Sequence, residues 1–279
     1  DYLTVYDLVQ ESGITYDPSL AKEMVTRAMT QAGATLQDGK WTFGGKAIAL
    51  KLASEGADVA INYSRSKESA DAAVAELQAL GVRAEALQCD VGNRDAVFEL
   101  VKQVGERFGR IDILVNSAAR GLERPRAAID SLPKHLKHTM DVNVFGPWFA
   151  AQAAVKYMKD GGAIINLLSP GSDRYLPKYA PVGVSKGALE SLTIYLAVEL
   201  APRGIRVNAV SAGLVEGTDG VRMLDGDMVE GYRAKVPAGR HVHPEDVAEA
   251  VAFLASPAAS MIIGQTLLVD GGYSLLGTI

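Results

Sequence analysis

From about residue 45 onward, short β-branched apolar runs alternate with longer Ala-rich stretches whose apolar residues recur at helical spacing. The runs cover 58–63, 84–89, 111–115, 163–168, 205–210 and 265–269. Helical patterns lie between them at 46–55, 67–80, 94–108, 133–158, 180–202 and 244–256. Strands separated by helices of this length imply right-handed crossovers and a parallel sheet covered on both faces. Gly81, Gly109, Gly161 and Gly204 stand just after helical stretches, where a left-handed C-cap is wanted. The prediction is an α/β, doubly wound parallel sheet over 39–279, with ligands bound at the carboxyl ends of the strands. Residues 1–38 do not join the rhythm. They predict a helical N-terminal arm, with amphipathic helices at about 3–11 and 18–33.

Composition agrees with an ordinary globular chain: 279 residues, 48% hydrophobic, 22% charged. The net charge of −5 makes nucleic acid and anionic membranes poor partners. A single cysteine, Cys89, excludes an internal disulfide and a Cys-based zinc cluster. No apolar run approaches the ~18 residues of a membrane span, and Asp1-Tyr2-Leu3-Thr4 lacks the plan of a signal peptide. The expectation is a cytoplasmic protein. His135, His138, His241 and His243 show no convincing metal-ligand spacing and read as surface or helix-end residues, so no metal is expected.

The residues after the strands carry the chemistry. Asp90-Val91 closes the second run, Asn116-Ser117-Ala118-Ala119 follows the third, and Asn143 lies inside a long helical pattern. Ser169 follows Leu167-Leu168. Tyr179 and Lys186 come next, and Ser211-Ala212-Gly213-Leu214-Val215 with Thr218 follows the fifth run. In this order and spacing, from about residue 40 to 279, the set resembles the short-chain dehydrogenase/reductase family, whose fold is Rossmann-type. The resemblance implies that Asp90 and Val91 flank the adenine of a nicotinamide cofactor, and that Asn116 and Ala118 support it. Asn143 would hold a water that relays protons to the lysine. Gly213, Val215 and Thr218 would hold the nicotinamide amide and the pyrophosphate.

Ordinary members place the tyrosine four residues before the lysine; here the separation from Tyr179 to Lys186 is seven. Seven residues are almost two helical turns, so both side chains can share a face with a rise of about 10 Å. The usual serine position, 166, is Asn, and the candidate becomes Ser169. These departures, with the stretch Ser169 to Lys186 and the tail Val269-Asp270-Gly271-Gly272, look most like the NADPH-dependent type III enoyl-acyl-carrier-protein reductases. The resemblance implies that Tyr179 stabilises an enolate. Lys186 would bind the nicotinamide ribose and favour tyrosinate, and Ser169 would orient the substrate or the phenol. The substrate would be an enoyl thioester of fatty-acid or polyketide assembly on an acyl carrier protein. The protein would be a homotetramer joined through long central helices, with the small residues Ala150, Ala151, Ala153 and Ala154 suiting close packing.

Cofactor choice is read after the 58–63 strand, where an acidic residue would bind the ribose 2′-hydroxyl. This chain has Ser64 and Arg65, which suit a 2′-phosphate and hence NADPH. Residues 214–240 are expected to form a mobile lid. One stretch departs from the family. In Asp38-Gly39-Lys40-Trp41-Thr42-Phe43-Gly44-Gly45, a strand start runs directly into the last glycine of the phosphate loop. Gly44 and Gly45 are the only candidates for that loop. Either a segment near Phe43–Gly44 is omitted, the preferred explanation, or the loop has been lost. Two alternatives to enoyl reduction therefore stand: a ketoreductase of the same family, and a noncatalytic scaffold without a phosphate loop.

Overall fold

A computed structural model of the protein describes residues 27–31, 44–121, 126–218, 221 and 226–276. The strands are β1 Arg27–Gln31, β2 Asp58–Tyr63, β3 Ala84–Gln88, β4 Ile113–Asn116, β5 Gly162–Leu168, β6 Ile205–Ala212 and β7 Thr266–Val269. All neighbouring pairs are parallel and the order is β3-β2-β1-β4-β5-β6-β7. This is the doubly wound order, whose direction of winding reverses between β1 and β4. The helices are α1 Gly44–Ser54, α2 Lys67–Gln78, α3 Arg94–Phe108, α4 Pro133–Met140, α5 Gly146–Ala154, α6 Ala180–Leu200, α7 Gly226–Arg233 and α8 Pro244–Ala255.

The period-two alternation of the strands divides the core. Ile113, Val115 and Ile165 pack with α1, α2 and α8 on one face, through Ile48, Leu52, Leu77 and Val251. Leu114, Ile164 and Val207 pack with α3, α5 and α6 on the other, through Leu100, Val104, Ala150 and Ala197. Gly81, Gly109, Gly161 and Gly204 all take left-handed φ. Among the described residues, no helix is long and apolar enough to cross a membrane, and no group of three or more His, Cys, Asp or Glu side chains is placed to hold a metal ion.

Three expectations change. The helix expected over 18–33 gives way, at Arg27–Gln31, to a strand between β2 and β4. A parallel sheet leaves the facing backbone groups of β2 and β4 unpaired unless a strand lies between them, and that demand outweighs local helical periodicity. The rest of the proposed arm, and Trp41–Phe43, lie outside the described residues. The helix expected over 133–158 is broken into α4, a π-helical turn at Asp141–Phe145, and α5. The alanines expected at a subunit contact are inside this chain. Ala150, Ala151, Ala153 and Ala154 are buried against α3 and the sheet, and the helix turns only Trp148 and Gln152 outward. Small residues let α5 approach its own sheet.

Candidate active site

Tyr179 stands at the N-cap of α6, and Lys186 lies two turns into the helix. The chain enters α6 through Lys178, the one described non-glycine residue with positive φ, at 57°. That conformation costs about 1–2 kcal/mol. It is held by the amide of Arg126, which donates to the Lys178 carbonyl at 2.7 Å. The Tyr179 ring lies over Gly171, where a Cβ would sit 2.6 Å from the ring, and Gly183 meets the Gly171 carbonyl just as closely. Two glycines thus let the Pro170–Ser172 turn press onto the first turns of α6.

Both functional groups converge on the carboxyl end of β5. The Tyr179 and Ser169 hydroxyls are hydrogen bonded at 3.1 Å, and Lys186 Nζ donates to the Leu167 carbonyl at 2.6 Å. The anchors are two residues apart on one strand end. Asn166 points the other way. Its Oδ1 accepts from Asn116 Nδ2 at 2.8 Å and its Nδ2 donates to Thr193 Oγ1 at 2.8 Å, a buried link between β4, β5 and α6. Ser169 is therefore the hydroxyl that meets the phenol.

Lys186 is buried and its Nζ has no carboxylate partner among the described residues, so desolvation lowers its pKa to about 8. Burial pushes the Tyr179 phenol up, and the Ser169 hydrogen bond offsets part of that rise. Tyr179 is thus a neutral donor at pH 7.

Asn143 occupies the π-helical turn and is buried. Its Nδ2 donates to the Arg120 carbonyl at 3.1 Å and to Ser185 Oγ at 2.9 Å, while Oδ1 accepts from the Arg120 amide at 2.7 Å. It ties the loop after β4 to α6. A π turn, with its extra residue, rotates such a side chain out of helical register.

A cavity of about 610 Å³ opens at the ends of β2, β3 and β4. Ser64, Arg65, Asp90, Val91 and Ala118, all singled out in the sequence, line it. So does Asn62, which was not singled out. Asn62 Nδ2 donates to the Cys89 carbonyl at 3.4 Å, while its buried Oδ1 has no hydrogen-bond partner. An orphaned acceptor in a cavity wall is matched by a ligand carrying a hydroxyl or amine. The only signal in the sequence was the polar residue in an otherwise apolar run. Ser169, Tyr179 and Lys186 do not line this cavity. It reaches α6 at Pro181, two residues from Tyr179.

Gly213, Val215 and Thr218 follow β6 on the same edge of the sheet. The Gly213 amide donates to the Val269 carbonyl at 2.9 Å, and Thr218 Oγ1 donates to the Val215 carbonyl at 2.7 Å. A Cβ at Gly213 would lie 2.6 Å from the Tyr232 hydroxyl, so α7 sits directly over this turn. Gly44 and Gly45 open α1, the helix after β1. His241 departs from the surface reading. It is buried, with Nε2 3.2 Å from the Val229 carbonyl, because α7 folds over it.

The arrangement brings a phenol, a hydroxyl and an ammonium to the end of β5. Beside them lies a cavity at the switch point suited to a ribose and an anion. Comparison with known proteins agrees. A family model described as enoyl-(acyl carrier protein) reductase matches residues 45–274. An oxidoreductase of Methylorubrum extorquens, itself uncharacterised, is 42% identical over 230 residues, 82% of this chain and 92% of that protein. The 1-cyclohexenylcarbonyl-CoA reductase of Streptomyces collinus is 38% identical over 236 residues, covering 83% of each. A 3-oxoacyl-acyl-carrier-protein reductase of Staphylococcus aureus is 39% identical over 230 residues, 82% of this chain and 92% of that protein. The solved short-chain dehydrogenase of Burkholderia cenocepacia in complex with NADP superposes with a TM-score of 0.80 at 35% identity, over 90% of this chain and 98% of that one. The strand order, the strand-end residues and these likenesses together make the chain an oxidoreductase of the short-chain dehydrogenase/reductase family.

Proposed function

We propose that this protein reduces the carbon–carbon double bond of an enoyl thioester with NADPH. The observation that carries the proposal is the seven-residue step from Tyr179 to Lys186, with Ser169 rather than position 166 meeting the phenol. This places the donor one turn away from the position it takes in four-residue members. The name of the Streptomyces relative, a reductase of an unsaturated acyl-CoA, supports the same reading. NADPH fits the cavity: Arg65 and Ser64 stand where a 2′-phosphate is read, and Asn62 Oδ1 awaits a donor. The NADP complex of the Burkholderia relative is consistent with this choice.

The chemistry NADPH would supply when bound is a hydride for the substrate β-carbon. The chain's task is the charge that develops on the thioester oxygen. Tyr179, neutral and aimed by Ser169, donates a hydrogen bond there, and a preorganised donor of this kind is worth about 3–4 kcal/mol in the transition state. Lys186, held on Leu167, presents an ammonium to ribose hydroxyls. Asn143 braces the loop after β4 against α6, and the remaining lone pair of Oδ1 or its backbone carbonyl holds the relay water. Gly213, Val215 and Thr218 would hold the amide and pyrophosphate, Asp90 and Val91, which line the cavity, would flank the adenine, and Gly44 and Gly45 at the start of α1 would face the phosphates.

A carbonyl reductase of the same family is the second reading, favoured by the name of the Staphylococcus relative. Anaerobic NADPH consumption separates the two. The enoyl reading expects oxidation with a crotonyl thioester in clear excess over an acetoacetyl thioester, and the reverse preference overturns it. Failure of NADPH to bind at all, read by its fluorescence, overturns both reductase readings and supports the scaffold reading instead.

A further inference from the structure

The cavity continues past the cofactor edge. It runs from Ser64 and Arg65 to Pro181 at the start of α6, with Lys134, His138 and Thr139 of α4 along one wall. Its charge is opposite in sign to that of the whole chain, which carries −5. Arg65, Arg120, Arg126 and Lys134 line it against one carboxylate, Asp90, which already accepts from the Gly92 amide at 3.0 Å. Elsewhere cations are commonly paired, as in Lys46–Glu76, Lys51–Glu249, Arg107–Glu85 and Arg240–Asp246. Arg65, Arg126 and Lys134 form no ion pair among the described residues. Arg126 is fixed by its backbone, which bridges to Tyr179, and its Nε is shut off from solvent without an acceptor. A charged donor left so is costly unless a ligand supplies the acceptor. Arg65 is assigned above to the 2′-phosphate, and Arg120 is engaged within the chain. Arg126 and Lys134 remain, next to the element that carries the phenol.

We infer that Arg126 and Lys134 form an anion subsite for the phosphate end of the substrate's pantetheine arm. The inference rests on the thioester reading above. That phosphate is common to coenzyme A and to an acyl carrier protein. A guanidinium fork and a point-charge ammonium suit it, whereas the neutral acyl chain has no use for either.

The test compares crotonyl-CoA, a crotonyl acyl carrier protein and crotonyl-N-acetylcysteamine, the last with the same acyl group but no phosphate. Arg126→Gln and Lys134→Gln are each expected to lower the ratio of kcat/KM for the phosphate-bearing thioester to that for the truncated one by about tenfold, through KM. Added salt should erode the same ratio in the unmodified protein. Lys134 is exposed on α4, so its variant keeps the test open if Arg126→Gln folds poorly. The larger loss, with coenzyme A or with the carrier, identifies the source of the phosphate. Unchanged ratios in both variants overturn the subsite and leave enoyl reduction standing. If no thioester consumes NADPH, the enoyl reading fails separately. Calorimetry on the NADPH-saturated chain then decides the subsite. Phosphopantetheine should bind tighter than pantetheine and lose that advantage in both variants, and equal binding overturns it.

Discussion

At the scale of single residues, the site rests on two groups whose proton affinities move for the same reason. Burial disfavours charge, so it lowers Lys186 to about 8 and raises Tyr179. Tyr179→Phe removes the donor but little of the packing. It is expected to lower kcat by about 10²–10³ while NADPH binding, followed by fluorescence, changes little. Lys186 loses its charge as pH rises through about 8. NADPH affinity should therefore weaken as pH rises through that value, and Lys186→Arg should flatten the dependence in titrations spanning it. For stability the sign is the reverse. The folded chain binds fewer protons than the unfolded one between pH 8 and the ordinary 10.5, so this group's destabilising effect fades across that window.

At the scale of elements, the junction of the π turn with α5 couples packing to the cofactor edge. A Cβ at Gly146 would stand 2.7 Å from the Val91 carbonyl, a backbone atom that cannot swing aside. Gly146→Ala gains up to about 1 kcal/mol of helix propensity, but forcing the helix off Val91 costs about 1–3 kcal/mol. The net expectation is a lower melting temperature together with weaker NADPH binding, read by calorimetry and fluorescence on one preparation. Most elements were legible beforehand. Asp58–Tyr63 and Arg94–Phe108 have the bounds that periodicity predicts, because the strand is a short apolar run buried along its length and the helix buries one clean apolar face. The break at Asp141–Phe145 was not legible, since a π turn leaves the apolar spacing on either side intact. Nor was the bracing by Asn166, whose side chain faces the core rather than the cleft.

At the scale of the molecule, the alanines of α5 are spent inside the chain, and α6 carries the free apolar face. Val184, Ile194, Tyr195 and Val198 are all more than half exposed. Four large apolar side chains on one helix exceed the scattered exposure of a monomer. We propose that α6 of a second copy covers them, within the expected homotetramer. Sedimentation should show the tetramer, and Val198→Asp, which places a charge in that contact, should shift it to smaller species without altering the fold by circular dichroism. A monomer in the unmodified protein would refute the assembly.

The sequence by itself determined the alternation of strands and helices, the glycine stops, and the ordered strand-end residues from Asp90 to Thr218. The first two follow from local periodicity and backbone conformation, which neighbouring residues dictate, and the third was read from the resemblance of its ordered motifs to a known family. The tertiary structure alone decided which strand fills the centre of the sheet, that Ser169 and not Asn166 meets the phenol, and that Lys186 sits in a desolvated place on Leu167. It alone brought Arg126 and Lys134 to the cavity that Arg65 also lines. Those outcomes depend on burial and on contacts between residues far apart in the chain, and no window of sequence contains them.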